Sequence, residues 1–108
     1  MRSTVSDYSD MCFFCGRPAT QTHHLIFGVG LRKTADKDGL FCPICAECHT
    51  MGSLIGRIHD NPMAEKLSKM LGQAIFERNY YKDLYYQLNR NEDEARERFI
   101  ERYGKSYL

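Results

Sequence analysis

The sequence predicts an α+β protein in which a small finger, residues 12–60, precedes a helical C-terminal extension, residues 61–108. Three observations carry that reading. All five cysteines, all four histidines and six of the eight glycines fall within 12–60. The run 20–27 (TQTHHLIF) alternates as a strand does, and 39–42 (GLFC) is a candidate return strand. Beyond residue 60 there is no Cys or His, and apolar residues recur every three or four positions, the period of a helix face. Residues 1–11 are polar and are expected to form a flexible N-terminus.

Length and composition suit one small domain. The chain has 108 residues, 43% of them hydrophobic and 12% aromatic, too apolar for wholesale disorder. No apolar run approaches the ~20 residues that span a bilayer, so no membrane partner is expected. MRSTVSDYSD lacks the apolar segment of a secretory signal, which predicts a cytoplasmic protein. The formal net charge is +1, with six basic and six acidic residues up to Asp60 and nine and eight after it. Neither half is a basic arm. Nucleic-acid binding would therefore need a local patch, a bound metal or a second copy of the chain.

The extension opens on Asp60-Asn61-Pro62, a capping residue followed by a proline suited to the first helical position. Met63, Leu67, Met70, Leu71, Ala74 and Ile75 then define the expected inward face. The pattern can continue through Tyr81, Leu84, Tyr85 and Leu88, with a break near Asn79. Asn91 and Glu94 resemble a second helix start, Ala95, Phe99, Ile100 and Tyr103 its apolar face, and Gly104 its stop. These stripes are expected to cover the small core. The alternatives are a homodimer seam or a docking surface for a protein partner.

Cys12-Phe-Phe-Cys15-Gly16 is a metal knuckle: two thiolates three positions apart can grip one ion, and the glycine allows the tight turn. The second pair lies within Cys42-Pro-Ile-Cys45-Ala-Glu-Cys48-His49. Soft thiolates in a reducing compartment point to structural Zn²⁺ rather than disulfides, and an odd count of five would leave one thiol over. Cys12, Cys15, Cys45 and Cys48 are the preferred ligands, with Cys42 a small buried strand residue. Cys42 in place of Cys48 is the alternative.

Adjacent residues of a strand face opposite ways, so one of His23 and His24 can hold a metal while its neighbour faces a reacting atom. Residues 46–59 read as a weak helix that would bring His49 to them. His59 lies nearly three helical turns further on and approaches only if that helix ends or bends first, for which Gly56 offers a place.

The pattern CxxCG, then THHLIFG, then a cysteine knuckle running straight into Cys48-His49 resembles the HNH endonucleases, also called His-Me finger or ββα-metal nucleases. It is most like their zinc-stapled type, common in bacteriophages and mobile elements. The resemblance spans 12–60, and ADKDGLFCPICAECH with GRIHDNP is similar to a phage branch. It implies a small ββα-metal, treble-clef-like finger with structural zinc, acting on DNA in the host cytoplasm if phage-encoded. The family's position before its invariant histidine, a cation ligand, maps to His23. The invariant histidine, the general base, maps to His24. The histidine after the last cysteine, a second cation ligand, maps to His49, and His59 is the available downstream ligand. The middle Asn of the family motif falls at Leu40, a departure for which Asp38 or backbone bonds are the substitutes.

Such residues suit phosphodiester hydrolysis. A neutral His24 can take a proton from water, and a divalent cation (Mg²⁺, Mn²⁺, Ni²⁺ or Zn²⁺) on His23, His49 and His59 can stabilise the leaving oxygen. Imidazole ligands suit the softer of these ions at least as well as Mg²⁺. Arg32, Lys33 and Lys37, placed in the loop between the strands, are the expected contacts to the DNA backbone, with Arg17 and Arg57 as secondary ones. Two other readings accompany this one. The first is a non-catalytic treble-clef zinc module that binds nucleic acid or protein. The second is an accessory nuclease subunit in phage DNA packaging or recombination, docked through its helical extension.

Overall fold

The computed structural model describes residues 2–83 and 93–108, with the side chain of residue 83 left out. Its elements are β1 (Gln21–His24), α1 (Leu31–Lys37), β2 (Phe41–Ile44), a π-helical turn (Glu47–Met51), α2 (Pro62–Asp83) and α3 (Glu94–Tyr103). The protein is thus α+β, with a single two-stranded sheet among the described residues. The strands run antiparallel, with Gln21 opposite Ile44, Thr22 opposite Pro43, His23 opposite Cys42 and His24 opposite Phe41. Ahead of β1, Met11 pairs with Pro18 and closes the first cysteine knuckle. Gly16 takes φ +79° there, a conformation that suits glycine.

The connection between the strands is not a loop. Gly28 and Gly30, at φ +126° and +80°, turn the chain into α1. Arg32, Lys33 and Lys37 therefore sit on a helix, where the sequence analysis placed a loop. A seven-residue helix is too short to reveal itself by periodicity. Both strands are also shifted from their expected bounds. β1 ends at His24 although Leu25 still bonds Leu40 O through its N–H (2.9 Å), and β2 extends two residues beyond Cys42. Pro43 is tolerated in β2 because a two-stranded sheet consists of edges.

The N-terminal residues, read as a free tail, are tied to the start of β2. Thr4 N–H donates to Gly39 O (2.9 Å), and the Ser3 hydroxyl donates to Phe41 O. Arg78 and Asn79 of α2 reach the same segment through Thr4. α2 shows no break at Asn79. Leu84, Tyr85, Leu88 and Asn91, named above for the continuing stripe and the second helix start, lie outside the described residues.

Two apolar clusters hold the elements together. Ile26, Ala35 and Leu40 from the strand–helix–strand unit pack with Phe99 and Tyr103 of α3, flanked by Ile75 and Phe76 of α2. Phe99 stacks on Tyr103, one helical turn on, at 4.6 Å between ring centres. Ala95, Phe99 and Tyr103 form the buried face of α3, whereas Ile100 is exposed, and Gly104 ends the helix at φ +91°. The second cluster gathers Cys12, Ile44, Cys45 and Ile58, with Ala64 of α2 against it.

The inward face of α2 follows the apolar stripe only in part: Met70, Leu71 and Ile75 are half-buried, and Ile75 packs on the core. Met63 and Leu67 are 73% and 55% exposed, and Ala74 also faces out. Ser68, Gly72 and Gln73 are buried instead. Each has a physical reason to be there. The Ser68 hydroxyl donates to Leu25 O (2.8 Å). Gln73 bonds Glu77, Ser106 and the Tyr107 N–H, so its amide is satisfied although buried. Gly72 lets the helix lie directly on Leu25 and Ile26, since a Cβ there would stand 2.8 Å from Ile26 Cγ1.

Gly72→Ala is therefore expected to destabilise the protein despite its better helix propensity. Overpacking costs about 1–3 kcal/mol, against a gain of about 1 kcal/mol from replacing glycine in a helix. A thermal or urea melt of the variant beside the wild type checks this. Unchanged stability would mean that Ile26 turns aside at no cost.

Candidate metal centres and the histidine cleft

Cys12 and Cys15 come from the knuckle closed by Met11 and Pro18, Cys45 follows the end of β2, and Cys48 lies in the π-helical turn. Their four sulfurs lie within 4.8 Å of one another, and those of Cys15 and Cys45 are 3.6 Å apart. Four thiolates around one Zn²⁺ stand roughly 3.8 Å from each other, given Zn–S bonds of about 2.3 Å. The quartet could therefore hold zinc. Burial raises the Cys12 thiol, but N–H groups of Cys45, Cys15 and Phe14 outweigh it and bring the thiol down to about 6, which favours a thiolate.

Cys42 is not one of the four. It sits on β2 opposite His23, fully buried, and that burial pushes its thiol up to about 12. It stays a protonated, apolar side chain.

A second group assembles a few residues away. One ring nitrogen from each of His23, His49 and His59 lies within 4.8 Å of the others. The expected weak helix over 46–59 is only the turn Glu47–Met51, and Gly52 rather than Gly56 ends it. A Cβ on Gly52 would meet Glu47 O at 2.4 Å, so only glycine fits there. The chain then doubles back. Ile58 N–H bonds Cys48 O (2.8 Å) and His59 N–H bonds His49 O (3.1 Å), setting the two imidazoles side by side. Arg57 braces this return by bonding the carbonyls of Thr50, Gly52 and His59 and the Asp60 carboxylate. Arg57 therefore supports the loop, and Arg17 is paired with Glu47.

The hydrogen-bond network assigns a tautomer to each ring. The Ser68 hydroxyl donates to Leu25 O, so its oxygen accepts from His23 Nε2 (2.8 Å) and leaves Nδ1 with the lone pair. His49 donates from Nδ1 to Gln21 Oε1 (2.7 Å), and His59 faces Glu65 through Nδ1 (3.4 Å). Their Nε2 atoms are left to face each other, 3.0 Å apart. Two lone-pair nitrogens at that distance suit a shared cation, and each ligand's second nitrogen is fixed by an outer partner, as is usual at metal sites. Burial, and then His49 and His59, bring His23 down to about 3, so it stays neutral and able to ligate. The triad could hold a metal ion.

Strand alternation sends His24 the other way. Its ring lies against Phe41, and Nε2 is 3.0 Å from Asp36 Oδ1 on α1. His24 nevertheless shares with His49 and His59 a cleft of about 620 Å³ that Arg32 and Lys33 also line. Lys37 lines an adjoining recess with His24 and Asp36. A larger recess, about 1020 Å³, lies elsewhere among the described residues, between the N-terminal residues and α2, and neither candidate metal-ligand group lines it.

Leu40 is fully buried in the core. Asp38 does not stand in for an Asn there, because its carboxylate takes bonds from Arg102 Nε (2.6 Å) and Tyr103 OH (2.7 Å). Backbone bonds of Leu40 to Leu25 and Ala35 hold that stretch instead.

Gln21, Asp36, Glu65 and Ser68 also contact the four histidines, unforeseen from the sequence. Only Gln21 carried a signal, being two residues before His23 on the same strand face. Among the described residues no helix is long and apolar enough to cross a membrane. No family model matches the chain, and no curated protein or solved structure is significantly similar to it.

Proposed function

We propose that this protein is a metal-dependent endonuclease of the HNH, or ββα-metal, type that hydrolyses DNA phosphodiester bonds. One observation carries the reading. Two adjacent histidines of β1 face opposite ways, one into a group of three imidazoles that could hold a metal and the other onto a carboxylate, while His24, His49 and His59 line one cleft. In this reading the quartet Cys12, Cys15, Cys45 and Cys48 is a structural zinc site. His24 is the general base that takes the proton of the attacking water. His23, His49 and His59 hold a divalent cation, which when bound supplies positive charge to a phosphate oxygen and the leaving 3′-oxygen. Arg32, Lys33 and Lys37, on the exposed side of α1, hold the DNA backbone beside it. A ligand set of neutral imidazoles leaves the charge of the cation uncompensated, which attracts a phosphodiester to a chain of net charge +1.

The test is supercoiled plasmid incubated with the zinc-loaded protein and Mg²⁺, Mn²⁺, Ni²⁺ or Zn²⁺, with and without a chelator. Conversion to nicked or linear DNA that depends on added metal is the expected result. Folded, zinc-loaded protein that cuts with none of the four ions would overturn the reading. Leu40 and the near-neutral charge favour a second one, a non-catalytic zinc module, which predicts one metal per chain in a titration where the nuclease predicts two.

A further inference from the structure

The face of β1 opposite the triad holds a second arrangement. The carboxylate of Asp36 meets Nε2 of His24 at 3.0 Å. A carboxylate accepts hydrogen bonds and donates none, so the nitrogen facing it carries the hydrogen and Nδ1 is left with the lone pair. The helix that presents Asp36 is fixed on both sides. Ala35, its neighbour, is fully buried in the core and accepts a bond from Leu40 N–H (2.9 Å). Asp38, two residues on, is held by Arg102 and Tyr103 of α3. The ring of His24 lies against Phe41, 5.9 Å between ring centres. Arg32, Lys33 and Lys37 surround the pair. Their charge offsets the repulsion a carboxylate would otherwise exert on a phosphodiester.

We propose that Asp36 is a positioning residue that locks His24 as the Nε2–H tautomer and so leaves Nδ1 as the proton acceptor. What Nδ1 then does rests on the nuclease reading, whereas the tautomer does not. A ring free in water samples both tautomers, and a carboxylate on one nitrogen suppresses the minor form while holding the ring in one orientation.

Long-range ¹H–¹⁵N correlation of the imidazoles tests this on the full-length, zinc-loaded protein at about pH 8, where an ordinary histidine is neutral. The wild type is expected to show a single Nε2–H form of His24, and Asp36→Ala a mixture. Plasmid nicking by Asp36→Ala should fall on the order of tenfold in kcat, a part of the ~10²–10⁴-fold that a positioned general base contributes, with no rise in KM. Asp36→Asn should recover most of the rate, because an exposed amide can turn its oxygen towards Nε2. Zinc content and circular dichroism exclude a folding defect. An Nδ1–H form in the wild type would overturn the proposal, as would an Asp36→Ala variant with unchanged spectrum and rate. If the spectra change as expected while wild type and variants all leave DNA intact with every metal, the Asp36 assignment stands and the nuclease reading fails.

Discussion

His24→Ala is expected to reduce DNA cleavage by about 10²–10⁴-fold, the usual contribution of a positioned general base, while leaving the fold and both metal stoichiometries unchanged. The separation follows from where the ring lies. His24, its side chain 17% exposed, contacts Asp36 and Phe41 and contributes no nitrogen to the triad, so its removal leaves both candidate ligand groups intact. A plasmid assay run beside metal analysis checks both halves of the claim. A variant that cuts as fast as wild type would remove His24 from the mechanism. His23→Ala, in contrast, would remove a triad ligand together with a buried hydrogen bond to Ser68, and so could not separate chemistry from structure.

The second large effect concerns the cysteine quartet. Stripping zinc with a strong chelator, or replacing Cys45 by Ala, is expected to unfold the finger, with loss of near-ultraviolet dichroism and of the protected amides of β1 and β2. A structural zinc supplies on the order of 10 kcal/mol to folding, as much as the whole stability of a typical small domain, about 5–15 kcal/mol. The apolar cluster on that side contains two of the cysteines themselves, with Ile44 and Ile58, so little remains to hold the knuckles once the ion is gone. Cys42→Ala is the internal control. It should retain one tightly bound zinc and lose roughly 1–2 kcal/mol from a small cavity. Loss of zinc from Cys42→Ala, with retention by Cys48→Ala, would reverse the ligand assignment.

Spacing made the two candidate metal-ligand groups legible. Two CxxC knuckles leave few ways to close a tetrahedron, and a histidine directly after Cys48 has to follow the sulfur cluster. What stayed hidden depends on contacts between segments distant in sequence. Asp36 reaches His24 only because Gly28 and Gly30 turn the chain into a helix too short to show a period. α2 misled for a different reason. Its apolar stripe suggested a buried face, yet only Met70, Leu71 and Ile75 of that stripe are half-buried, and the fully buried residues are Ser68, Gly72 and Gln73, each there for its partner or its smallness rather than its hydrophobicity. The return of His59 to His49 likewise depends on Gly52, whose missing side chain clears the Glu47 carbonyl. A glycine in sequence does not say which carbonyl it must admit.

The hydrogen bond from His23 to Ser68 spans 45 residues and crosses the boundary drawn at residue 60. One ligand of the triad is therefore oriented by a hydroxyl of the extension, and Glu65 of the same helix faces a second ligand. If an ion binds at the triad, its binding and the docking of α2 are linked equilibria. By thermodynamic reciprocity, whatever the docked helix adds to the ion's affinity, the ion would return as stability of the docked helix. The extension would in that sense belong to the binding site, and occupancy of the triad would report on how firmly the two segments are joined.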